Sequence, residues 1–84
     1  MSQKIIITGG AGFIGSNFLS KYVLLFPHID FINIDALTYA GNIEKISPEA
    51  RNAKNYFFEK VDIRDFDELE KIYKKYTISH IFLC

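Results

Sequence analysis

Residues 5–17 read IIITGGAGFIGSN: three consecutive isoleucines, then Gly9, Gly10, Gly12 and Gly15 within seven residues. Glycine loses more backbone freedom on folding than any other residue, so this spacing has a cost that something must offset. Upstream, Lys4–Thr8 holds a β-branched run without polar alternation, the pattern of a strand covered on both faces in a parallel sheet. Downstream the period changes. Ile14, Phe18, Tyr22 and Phe26 recur four apart with Leu19 and Val23 beside them, which predicts a helix opening at Phe13 and stopped by Pro27. The glycines therefore occupy a turn from strand to helix. A phosphate is stabilised there by unpaired backbone N–H groups and the positive end of the helix dipole, but only where no side chain intervenes.

Two overlapping registers fit such a turn. Gly10, Gly12 and Gly15 satisfy G-x-G-x-x-G, and Gly9, Gly12 and Gly15 satisfy G-x-x-G-x-x-G. In either, an early glycine makes the tight turn, Gly12 admits the pyrophosphate, and Gly15 lets the helix approach the sheet. A triphosphate-binding P-loop needs lysine directly after the last glycine; Ser16 stands there instead.

Phe31–Asp35 (FINID) predicts the second strand, and Asp35 closes it 20 residues after Gly15. A carboxylate at that place accepts the ribose hydroxyls of an adenosine and repels a 2′-phosphate, favouring NAD over NADP. The plainer alternative is a turn aspartate capping the next segment. The polar stretch 36–55 holds a short helical candidate in NIEKI and a loop at Pro48. Tyr56–Asp62 (YFFEKVD) predicts a third strand ending near Val61. Asp65 and Glu68 have capping-box spacing ahead of Phe66, Leu69, Ile72, Tyr73 and Tyr76, the apolar face of another helix. Ser79–Cys84 (SHIFLC) predicts a fourth strand.

The order β-α-β-(α)-β-α-β with right-handed crossovers places the chain in the α/β class. The expected architecture is the N-terminal half of a Rossmann-type doubly wound parallel sheet, strand order 3-2-1-4, incomplete at the C-terminus. The expectation for residues 1–84 is a partial NAD-binding domain without the substrate domain or the rest of the sheet. The first helix and the segment near Ile43 should share one face, with the Phe66–Tyr76 helix alone on the other.

Among 84 residues, ten basic side chains balance ten acidic ones, and no basic stripe suited to nucleic acid stands out. Lys71, Lys74 and Lys75 alternate with apolar residues as a solvated helix face does. One cysteine, Cys84, excludes an internal disulfide and a Cys/His zinc arrangement, so no metal site is expected. No apolar run approaches the ~18 residues of a membrane span, and no signal peptide opens the chain. Cytoplasmic location is the resulting expectation. His28 and His80 have no evident catalytic partners.

With these residues in view, TGGAGFIGSN, Thr8–Asn17, resembles the cofactor loop of the extended short-chain dehydrogenase/reductase superfamily, which modifies nucleotide sugars. DALTYAGN, Asp35–Asn42, and EKVDIRD, Glu59–Asp65, are similar to segments of the dTDP-glucose 4,6-dehydratases. The resemblance implies NAD as cofactor, with Gly9, Gly12 and Gly15 in its loop and Phe13 and Ile14 offering N–H groups to the pyrophosphate. It implies Asp35, Ala36, Leu37 and Thr38 around the adenosine ribose, and Asp62 with Ile63 at the adenine. An acidic strand end leading into a helix cap is the alternative for that last pair. The implied parent is a homodimeric lyase acting on a nucleotide sugar. It oxidises C4 of the sugar, eliminates water across C5 and C6, and returns the hydride to C6. The family's Tyr-x-x-x-Lys and Asp-Glu catalytic pairs are expected beyond residue 84, so no catalytic residue is assigned and the chain alone is expected to be inactive. Tyr73, Tyr76, Lys74 and Lys75 have the wrong spacing for that role. A C4 epimerase of the same superfamily and a non-catalytic nucleotide-binding module are the competing readings.

Overall fold

The isoleucine run forms the centre of the molecule, with Ile6 and Ile7 almost wholly excluded from solvent. The structure, a computed structural model, describes residues 3–9, 12–36, 43–76 and 80–83. Strand β1 (Gln3–Thr8) lies between β2 (Ile29–Ile34) and β4 (His80–Leu83), and β3 (Tyr56–Glu59) flanks β2. All pairings are parallel, giving the order β3-β2-β1-β4. Thr8 stands opposite both Ile34 and Leu83, and Ile34 opposite Glu59, so the carboxyl ends of the strands finish together.

Alternation along a strand divides the isoleucines between two cores. Ile5, Ile7 and Phe31 meet Leu19 and Val23 of α1 (Phe13–Leu25), together with Ile46 and Ala50. On the opposite face, Ile6, Ile32 and Ile34 meet Ile72 of α3 (Phe66–Tyr76). A run apolar at every position is what two covered faces require.

Four local expectations need correction. The inner stripe of α1 is Gly15, Ser16, Leu19 and Val23, with Phe18 and Tyr22 flanking it. Ile14 is 74% exposed and Phe26 44%. Because α1 is apolar around most of its circumference, its period does not select a face; packing of Leu19 and Val23 against Ile5, Ile7 and Phe31 does. In α3, Leu69, Ile72 and Tyr76 pack inward, while Phe66 is 78% exposed. Pro48 is not in a loop. It opens α2 (Pro48–Arg51), a position where its missing N–H costs nothing, and Ser47 Oγ caps that helix by accepting from Ala50 N–H at 3.3 Å. Strand β3 stops at Glu59, short of Val61.

Asn55 ties the layers together. Its side-chain amide donates to the carbonyls of Val23, Phe26 and Ile29 at 2.9, 3.1 and 2.9 Å, joining the end of α1 to the start of β2.

Candidate functional site

Backbone bonds anchor the described ends of the turn after β1. Gly9 N–H donates to the Ile34 carbonyl and Gly9 O accepts from Gly12 N–H, both at 3.0 Å. Gly9 has φ 70°, the left-handed region in which a Cβ is disfavoured. Gly12 is extended (φ −77°, ψ 178°), so its reason for being glycine is space. A Cβ there would lie 3.3 Å from Gly9 O, closer than ordinary van der Waals contact.

Helix α1 starts directly from this turn. Gly12 caps it without a side chain, no carboxylate stands in the first turn, and Ser16 N–H closes the first helical bond to Gly12 O at 2.9 Å. The first N–H groups, at Phe13, Ile14 and Gly15, thus meet no acidic side chain from their own turn, and the dipole favours an anion before them. Gly15 is buried on the inner face. Gly10 lies outside the described residues, so of the two registers only the glycines of Gly9–Gly12–Gly15 are all described.

Asp35 follows β2 at the same edge, and its N–H donates to the Glu59 carbonyl at 3.2 Å, carrying the ladder one step past the strand. Asp35 and Ala36 are half-buried, whereas Leu37 and Thr38 lie outside the described residues. Asp62 follows β3, with Ile63 half-exposed after it. The Asp62 carboxylate is already engaged: Arg64 Nη2 meets Oδ2 at 2.6 Å, and Arg64 Nε and backbone N–H meet Oδ1 at 3.0 and 2.9 Å. These bonds hold the Asp62 carboxyl down to about 2. As an exposed pair, they leave oxygen lone pairs toward solvent and compete with a further donor rather than excluding it.

Behind this edge lies a polar group that the sequence reading did not pick out. Asn33, wholly buried on β2, donates from Nδ2 to the Tyr56 hydroxyl at 3.1 Å. Among the described residues, Asn33 Oδ1 and Arg51 Nε are buried without hydrogen-bond partners. Burial raises the Tyr56 phenol above its ordinary range; the Asn33 bond and the Arg51 charge oppose the rise and Asp35 adds to it. The signal available in sequence was an asparagine inside an otherwise apolar strand.

Tyr-x-x-x-Lys spacing, expected only beyond residue 84, does occur within the chain at Tyr56 and Lys60. On a helix, four residues bring two side chains onto one face; on a strand they separate them by about 13 Å. Tyr56 opens β3 with its hydroxyl turned to Asn33, and Lys60 is exposed just past the strand. The spacing does not make a catalytic pair here. His28 is exposed, and Cys84 lies outside the described residues. Among the described residues no helix is long and apolar enough to cross a membrane.

Comparison with known proteins identifies relatives. The model of a family described as GDP-mannose 4,6 dehydratase matches residues 6–82. A dTDP-glucose 4,6-dehydratase of Neisseria meningitidis serogroup B is 43% identical over 74 residues, 88% of this chain and 20% of the relative. The crystal structure of dTDP-glucose 4,6-dehydratase from Bacillus anthracis in complex with NAD superposes with a TM-score of 0.90 at 36% identity, covering 98% of this chain and 26% of that one. The Thermus thermophilus UDP-glucose 4-epimerase complex with NAD gives 0.70 at 28% identity, over 96% and 23%. The chain spans about a fifth of the length of the Neisseria relative.

Proposed function

The chain belongs to the GDP-mannose 4,6 dehydratase family, and from that premise we propose that it forms the adenosine side of the NAD site in a nucleotide-sugar 4,6-dehydratase. The observation that carries this reading is the pair of glycines Gly9 and Gly12 in the turn after β1, leading into an α1 whose own first turn carries no acidic residue, at the same sheet edge as Asp35. That donor set suits a pyrophosphate and the neighbouring carboxylate suits a ribose diol.

In this reading the N–H groups of Phe13 and Ile14 meet the pyrophosphate, and Gly12 and Gly15 keep the approach clear. Asp35 accepts from the ribose hydroxyls, with Ala36, Leu37 and Thr38 around them. Asp62 accepts from the adenine amino group, sharing its oxygens with Arg64, and Ile63 covers the ring. NAD, when bound, supplies a reversible hydride acceptor. The chain's own residues bind and orient; none of them is assigned a proton transfer. The parent's substrate is a nucleotide sugar, dTDP-glucose by similarity to the Neisseria and Bacillus enzymes, and the parent is a cytoplasmic homodimer that engages neither nucleic acid nor membrane.

A C4 epimerase is the second reading, favoured by the Thermus likeness, but the dehydratase relative stands nearer in sequence at 43% against 28%. Binding decides the cofactor part. Titration of the full polypeptide should show NAD bound more tightly than NADP, with Asp35→Ala narrowing the ratio about tenfold, the scale of one strong charged contact. A native preference for NADP would remove Asp35 from the ribose.

A further inference from the structure

Three segments leave the carboxyl edge of the sheet from strands that are direct neighbours: the glycine turn after β1, Asp35 after β2 and Asp62 after β3. Neighbouring strands lie about 4.8 Å apart, so these segments cross the edge in the order in which a dinucleotide carries pyrophosphate, ribose and base. At the third of them stands Arg64, to which the sequence gave no role. It returns to Asp62 across a turn closed by Asp65 N–H donating to Asp62 O at 2.9 Å. Its backbone N–H and Nε donate to Asp62 Oδ1 at 2.9 and 3.0 Å. Oδ2 accepts from Nη2 at 2.6 Å and takes only the longer arm of the shared Nε bond, at 3.1 Å. A carboxylate oxygen can accept more than one hydrogen bond, and a guanidinium has more N–H donors than this pairing uses. Oδ2 thus keeps acceptor capacity, and Nη2 beside it keeps a second N–H, with Nη1 adjoining. Among the described residues no other acceptor meets this guanidinium, and the Arg64 side chain is 86% exposed. An acceptor and a donor therefore stand side by side, both open to a ligand.

We propose that Arg64 is a specificity-determining residue for the base: its guanidinium donates to adenine N7 while Asp62 Oδ2, which it holds in place, accepts from the adenine amino group. This rests on the dinucleotide reading above. The N7 edge of adenine sets an acceptor beside the amino donor, the complement of the Arg64–Asp62 edge. The same edge of a 6-oxopurine sets two acceptors side by side, and its O6 meets the Asp62 carboxylate as one lone pair facing another. With Asp62 removed, the fork is free to donate to O6 and N7 together, the pairing that arginine makes with guanine. Arg64 then favours opposite bases according to whether Asp62 occupies it.

The test is calorimetric titration of the full polypeptide with NAD and with nicotinamide hypoxanthine dinucleotide, melting temperatures being recorded for every variant. The native protein should prefer NAD by about tenfold. Arg64→Ala should weaken NAD several-fold and reduce that preference, with the melting temperature nearly unchanged because the side chain is exposed. Asp62→Ala should strengthen the hypoxanthine dinucleotide several-fold. Adding Arg64→Ala should cancel that gain, and adding Arg64→Lys should keep only a small part of it, since the charge remains but the fork does not. If Arg64→Ala binds both dinucleotides as the native protein does, the inference is overturned while the NAD site stands. A gain in Asp62→Ala that survives the added Arg64→Ala overturns it equally. If the native protein binds neither dinucleotide, the dinucleotide reading fails and this inference with it.

Discussion

At the scale of single residues, Gly9 and Gly12 are glycines for different reasons. Gly9 needs the left-handed backbone, φ 70°, that links β1 to the turn. Gly12 has an extended backbone open to any residue and is constrained only by the 3.3 Å approach of Gly9 O. Gly12→Val places a branched side chain at the mouth of the turn, against Gly9 O and across the proposed pyrophosphate position. Loss of at least tenfold in NAD affinity is expected, with helicity by circular dichroism nearly unchanged, since α1 begins at Phe13. Equal affinity in both forms would reduce Gly12 to a turn residue. Residue types and spacing made this loop legible from the sequence. Arg64 clasping Asp62 was not legible, because an i,i+2 pairing depends on the turn between them.

At the scale of elements, α3 is docked by chemistry as well as by burial. Glu59 Oε2 accepts from the Tyr76 hydroxyl and, at 3.0 Å, from Lys75 Nζ, joining the end of α3 to the end of β3. Burial opposes ionisation of Glu59, but these two donors outweigh it and hold its carboxyl below the ordinary 4.5. A depressed carboxyl contributes stability that is present above its ordinary value and lost as pH falls through the folded one. Lys75 is raised above 10.5, chiefly by the Glu59 hydrogen bond, and Tyr76 above 10.0, first by burial and then by Glu59. Raised groups act in reverse: their contribution is complete below the ordinary value and disappears as pH rises through the folded one. Melting temperature against pH should therefore fall on an acid limb below 4.5 and an alkaline limb above 10.0. Glu59→Gln should lower the plateau and flatten both limbs. Unchanged limbs in that variant would place the pH dependence elsewhere.

At the scale of the whole molecule, the sheet is covered on both faces across β1 and β2, yet β4 pairs with β1 on one side and with no strand on the other among the described residues. An unpaired strand edge presents a row of free N–H and C=O groups, a template for another chain. Expressed alone, residues 1–84 are expected to self-associate with rising concentration, as read by light scattering, and to give no 4-keto-6-deoxy sugar from dTDP-glucose. A monodisperse, cooperatively melting monomer would contradict the first expectation, and product formation the second.

The sequence by itself determined the strand–turn–helix at Ile5–Asn17, the parallel α/β class and the position of Asp35 at the end of β2. Each is a local property: a β-branched run, a change of period, a glycine spacing, a carboxylate at a fixed distance along the chain. The tertiary structure alone decided which face of α1 is inside, because the apolar residues of that helix nearly encircle it and only packing against the sheet selects Leu19 and Val23. It also decided that Asn55 would gather three carbonyls, and that the Asn33 amide would meet the Tyr56 hydroxyl two residues before Asp35. Those groups come from separate elements of the chain, and their partners are set by how strands and helices pack, which periodicity does not encode.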